Sequence, residues 1–137
     1  MQDQLLYAMG ALALLTFTVL LFIPIRRFRA AFAGHVGPDD FKYGESDRVP
    51  GSVSIPNRNY MNLTELPVLF YAICLMFYVT NRTDQTVVWL AWAYVALRVL
   101  HSFIHIAYNN VIHRLSAFAI SNFVLLAMWV MFFAKAL

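Results

Sequence analysis

The chain has 137 residues, room for one domain, and 61% of them are hydrophobic while only 12% are charged. That balance excludes an ordinary soluble enzyme and reads as an integral membrane protein. The net charge of +3 comes with no stretch that interleaves basic and aromatic side chains, so no nucleic-acid partner is expected. The single cysteine, Cys74, lies among Ala72, Ile73 and Leu75 and reads as a small buried hydrophobe.

Four apolar segments follow one another, predicting helices over about 5–25, 58–79, 87–108 and 115–135. Leu5 to Ile25 carries no charge and reaches about 30 Å as a helix, the thickness of the hydrocarbon core. Its basic residues Arg26, Arg27 and Arg29 follow the apolar run instead of preceding it, and Asp3 stands where a signal peptide would be positive. The segment is therefore expected to stay as a membrane span. Residues 26–57 form the one long polar connection, in which Gly34, Gly37, Pro38, Gly44, Pro50, Gly51 and Pro56 argue for turns over a further helix. The second segment is apolar from Leu66 to Val79, and reaches spanning length only if Arg58 to Glu65 forms its first turns. Val87 to Tyr108 and Leu115 to Phe133 complete the set.

Runs of this length are too long for barrel strands, so the expected fold is an all-α integral membrane bundle of four transmembrane helices. Basic residues gather in the first connection (Arg26, Arg27, Arg29, Lys42, Arg48, Arg58) and the third (Arg114). The second holds only Arg82, and the C-terminal end only Lys135. This places the termini away from the cytoplasm and the long loop inside it, in the inner membrane if the source is bacterial. Asn62-Leu-Thr and Asn81-Arg-Thr match the glycosylation pattern but are read as unmodified, the first lying at the cytoplasmic boundary.

Two polar stripes interrupt this apolar chain. Arg58, Asn62 and Glu65 fall four and three apart, and Arg98, His101, His105 and Asn109 fall three, four and four apart. Each spacing is one helix face. Ionisable groups within membrane spans are costly and mark functional sites by default, although polar side chains also join transmembrane helices. Both stripes lie toward the cytoplasmic side, with Arg114 where the fourth helix begins, and a Glu65–Arg98 or Glu65–histidine pair is expected to offset the cost of burial. Several guanidiniums, a carboxylate, an amide and two imidazoles suit glutathione, which has two carboxylates, one ammonium and a thiol. Arginines grip carboxylates through paired bonds, Glu65 can take the ammonium, and a guanidinium at a helix start favours thiolate.

Arg58-Asn-Tyr-Met-Asn62-Leu-Thr-Glu65-Leu-Pro67 resembles the second-helix signature of the MAPEG proteins (membrane-associated proteins in eicosanoid and glutathione metabolism). Arg98-Val-Leu-His101-Ser-Phe-Ile-His105, followed by Arg114, is similar to the third helix of the family's prostaglandin E synthases, relatives of its microsomal glutathione transferases. The resemblance covers essentially the whole chain. It implies a homotrimer of four-helix bundles, with glutathione as co-substrate near the cytoplasmic face. Arg58, Asn62, Glu65, Arg98, His101 and His105 would bind the peptide, Arg114 would stabilise its thiolate, and a lipophilic molecule from the bilayer would be attacked. Arg26 or Arg29 corresponds to a basic residue at the end of the family's first helix. His105 stands where several members have tyrosine, and Leu115 where the prostaglandin enzyme has serine.

Two alternatives stay open. One is a non-catalytic membrane binding or accessory protein on the same fold, such as the family also contains. The other is a metal or haem protein, with His101 and His105 four apart and Glu65 or His113 as a further ligand.

Overall fold

The computed structural model describes residues 1–135, which form α1 (Gln2–Phe32), α2 (Gly51–Thr64), α3 (Pro67–Val79), α4 (Gln85–Ala107) and α5 (Val111–Ala134). A 3₁₀ turn, Pro38–Phe41, lies in the first connection. Four segments are long and apolar enough to cross a membrane: α1, α2 with α3 together as Gly51–Val79, α4 and α5. The protein is thus a helical membrane bundle.

Buried Leu5, Ala8, Leu12, Val19 and Ile23 make one stripe of α1, recurring at helical spacing. Its other face, with Tyr7, Leu14, Phe17, Leu21 and Phe28, is exposed yet equally apolar. A helix apolar all round suits lipid, which solvates the outward face as well as protein packs the inward one. α4 is the central element. Val87, Ala91, Tyr94, Arg98, His101 and His105 are all buried and alternate four and three apart along one seam. That seam is apolar in its first half and polar in its second, so burial of α4 carries polar groups inward at one end of the bundle only.

Each helix end has a local cause. Gly34, at φ +76°, closes α1 while the His35 N–H reaches the Ala30 carbonyl (3.0 Å) and the Gly34 N–H the Ala31 carbonyl (2.9 Å). Asp84 caps α4, its Oδ1 accepting from the Val87 N–H at 2.9 Å. At the same end, Lys135 pairs with Asp84 and Gln2 bonds Asn81, tying α1, the α3–α4 turn and the end of α5 together.

The first connection is shorter than its composition suggests, because α1 continues to Phe32 and α2 already begins at Gly51, running through Pro56. Proline has no N–H for the carbonyl four residues back, here Ser52. Arg26 fills that gap: its Nη1 donates to the Ser52 carbonyl at 3.2 Å, tying α1 to α2. The second span, in turn, is not one continuous helix. Pro67 cannot donate to the Leu63 carbonyl and its ring crowds that turn, so the chain breaks at Glu65 (φ −84°, ψ −92°) and restarts as α3.

Between α1 and α2 the chain is organised by Asp40. Its carboxylate accepts from the Gly37 N–H and the Ser46 hydroxyl, each at 2.7 Å, while the Ser46 N–H donates to the Asp40 carbonyl at 2.8 Å. These bonds, the Gly37 N–H first, hold the carboxyl below its ordinary value of 3.8.

Candidate functional site

At the polar end of α4, three helices enclose a cavity of about 300 Å³. α2 brings Arg58 and Asn62, α4 brings His101 and His105, and α5 brings Arg114, with Val111, Leu115 and Phe118 as its apolar wall. Five of the eight residues singled out from the sequence therefore meet at one cavity.

The histidines are 2% exposed, their rings 5.8 Å apart, and neither Nδ1 has a protein partner. Asn62 donates its Nδ2 to the Arg58 carbonyl at 3.3 Å, which keeps its amide oxygen for other partners. Arg58 is exposed, as a guanidinium at a membrane boundary should be. Arg114 lies in the first turn of α5, whose start is capped by Asn110: its Oδ1 accepts from the Ile112 and His113 N–H groups, each at 3.0 Å. The positive end of the α5 dipole and the Arg114 charge thus coincide.

Arg98 and Glu65 take other places. Arg98 is fully buried behind the cavity, its Nε donating to the Tyr94 hydroxyl at 3.1 Å and its guanidinium facing the rings of Tyr94 (5.4 Å) and Phe118 (5.2 Å). Phe118 is therefore a wall shared by Arg98 and the cavity. Glu65 is exposed and does not line the cavity. The Glu65–Arg98 or Glu65–histidine pair expected from the stripes does not form, and among the described residues the ion pairs are Arg27–Glu45 and Lys135–Asp84. The reason is local: the break before Pro67 falls at Glu65 itself and turns that residue out of the helical register it shares with Arg58 and Asn62.

Asn109 also leaves its stripe. α4 ends at Ala107, and Asn109 adopts a left-handed φ of +49° instead of extending the helix face. From there its Oδ1 accepts from Arg114 Nη1 at 2.6 Å. Asn59 is a buried polar residue the stripes missed, outside the cavity lining. It is fully buried, and its Oδ1 accepts from the Ser102 hydroxyl at 3.2 Å, joining α2 to α4. The available signal was its spacing from Pro56 and Leu63, three and four, which marks the inward face of α2. Tyr108, one turn beyond His105, is exposed and bonds His113 Nδ1 at 3.1 Å, outside the cavity.

No group of three or more His, Cys, Asp or Glu that could hold a metal lies together among the described residues. The histidine pair has neither Glu65 nor His113 beside it in the cavity lining, so the metal or haem alternative lacks its further ligand.

A model of the MAPEG family matches residues 5–134, nearly the full length, and includes every residue that lines the cavity. The chain belongs to the MAPEG family. Comparison with curated proteins found no match, and comparison with solved structures found none. Family membership accounts for the four spans and leaves the chemistry to be argued from the cavity, because the family includes glutathione transferases and peroxidases as well as non-catalytic members.

Proposed function

We propose that this protein is a glutathione-dependent membrane transferase or peroxidase. It holds glutathione as a thiolate and directs the sulfur at a lipophilic electrophile or hydroperoxide that enters from the bilayer. The observation that carries this reading is the convergence of Arg58, Asn62, His101, His105 and Arg114 from three helices on one cavity. Arg58 and Arg114 match the carboxylates and the thiolate of the peptide, the imidazoles and the Asn62 amide supply directional hydrogen bonds, and the start of α5 adds positive potential. With an electrophilic carbon a carbon–sulfur bond forms and the leaving group departs with the bonding pair. With a hydroperoxide the thiolate attacks the terminal oxygen, the O–O bond breaks, and the alkoxide leaves and is protonated. A second glutathione then reduces the resulting sulfenic acid, giving glutathione disulfide and water. The protein contributes proximity and a stabilised anion, while glutathione supplies the nucleophile.

The site faces the cytoplasm in this reading, since Arg58, Arg114 and the basic residues of the first connection share one end of the bundle. The assembly is a homotrimer. Glu65, exposed at the break of an apolar span, needs polar company that a neighbouring copy supplies.

The test is the ultraviolet thiolate absorbance of glutathione added to detergent-purified protein at neutral pH. A saturable signal is expected, reduced about tenfold or more in Arg114→Met, the equivalent of about one pKa unit. Folded protein without such a signal overturns the proposal. A second reading, a binding protein whose site no longer activates thiols, is favoured by the outward position of Glu65, which leaves the peptide's ammonium without a carboxylate in the cavity. His105→Tyr separates the two: a gain of thiolate signal supports the second reading.

A further inference from the structure

We infer that Asn109 is a positioning residue for Arg114, so that the Asn109–Asn110 turn, and not the helix face alone, aims the guanidinium into the cavity. The inference rests on the proposed thiolate site. Arg114 has three rotatable methylenes and lines the cavity from the first turn of α5, half-buried. Its hydrogen-bonding partner within the protein is Asn109, whose Oδ1 accepts from Nη1 at 2.6 Å.

The backbone makes that contact possible. α4 stops at Ala107, and the Asn109 N–H folds back onto the Ile104 carbonyl at 2.7 Å, with φ at +49°. Asparagine and glycine enter this left-handed region most readily, and of the two only asparagine carries an acceptor. The next residue, Asn110, turns outward and spends its own Oδ1 on the Ile112 and His113 N–H groups. One amide therefore holds the helix start and the other holds the arginine that the helix start presents. An amide is also the suitable acceptor. It fixes one edge of the guanidinium without cancelling its charge, whereas a carboxylate there would neutralise the group whose field is needed for the thiolate.

Two variants of the full chain in detergent test this, with glutathione as the probe and two readouts. Asn109→Gly keeps the backbone conformation and removes the acceptor. Asn109→Asp keeps the acceptor and adds a counter-charge. The first readout is the side-chain nitrogen NMR signal of Arg114, assigned with Arg114→Lys. It is expected to report a held guanidinium in the native chain and in Asn109→Asp, and a freely rotating one in Asn109→Gly. The second is the thiolate absorbance at neutral pH, expected to fall about threefold to tenfold in both variants. A purely structural turn would leave Asn109→Gly unchanged in both readouts, and an Arg114 signal equally held in Asn109→Gly overturns the inference whatever glutathione does. An unchanged thiolate signal in Asn109→Gly, where the native chain gives one, overturns it as well. If the native chain gives no thiolate while Asn109→Gly frees the guanidinium, the positioning stands and the thiol-activating function falls.

Discussion

Arg98 invites replacement by methionine. Its favourable contacts are one hydrogen bond, Nε to the Tyr94 hydroxyl at 3.1 Å, and two aromatic faces at 5.2 and 5.4 Å. A hydrogen bond from a charged group contributes about 1.5–3 kcal/mol, and each ring about 0.5–2 kcal/mol. Against these stand Nη1 and Nη2, both buried with no protein partner. Each costs about 1–3 kcal/mol, and removing the charge from water costs several kcal/mol more. The burial costs outweigh the contacts. Arg98→Met, which fills similar volume without polar groups, is therefore expected to be neutral or stabilising by about 1–3 kcal/mol. Arg98→Ala leaves a cavity behind Phe118 and is expected to be less stable than Arg98→Met by about 2–4 kcal/mol. Thermal unfolding in detergent, followed by circular dichroism, reads both variants, at about 3–4 °C per kcal/mol for a chain of this size. A loss of more than about 2 kcal/mol in Arg98→Met would refute the reasoning, for it would mean that the two Nη groups are satisfied in the folded protein.

The Asn59–Ser102 bond joins α2 to α4 in the interior of the bundle. A double-mutant cycle with Asn59→Ala and Ser102→Ala should give a coupling of about 0.6 kcal/mol and no more than about 1.7 kcal/mol; zero coupling would show that the 3.2 Å contact contributes nothing. The Asp40 loop should loosen in acid. Because the folded carboxyl titrates below its ordinary value of 3.8, the order it confers is complete above that value and disappears as pH falls through the lower, folded one. Protection of residues 37–48 against hydrogen exchange, measured relative to the intrinsic rate at each pH, should fall over that window, and Asp40→Asn should lower it at neutral pH and remove its dependence on pH. A native loop indifferent to acid would contradict the role given to Asp40.

Much of the fold could be read from the chain because membrane spans are set by length and composition. Twenty or so apolar residues satisfy a bilayer whatever they pack against, so three spans followed from hydropathy alone, and the second from its apolar run with the polar turns before it. The residues of the candidate site stood out for a related reason. Charged and polar side chains are rare enough in such segments that Arg58, Asn62, His101, His105 and Arg114 stood out at helical spacing, and the bundle brings all five to one cavity.

Spacing does not say where a helix breaks or which face turns inward. Glu65 and Asn109 each continue a polar stripe in sequence and leave it in space, one because Pro67 disrupts the turn before it, the other because α4 ends two residues earlier. Arg98 shares the register of His101 and His105 yet lies behind Phe118, a placement that depends on how α5 packs across α4. Asn59 stood one residue from a marked arginine, and only the inward face of α2 identifies it. Periodicity thus determined the helices and the candidate side chains, since both follow from local geometry. Which groups meet, and which are aimed by a neighbour, is decided by breaks, caps and interhelical packing, where one residue's partner lies on another helix.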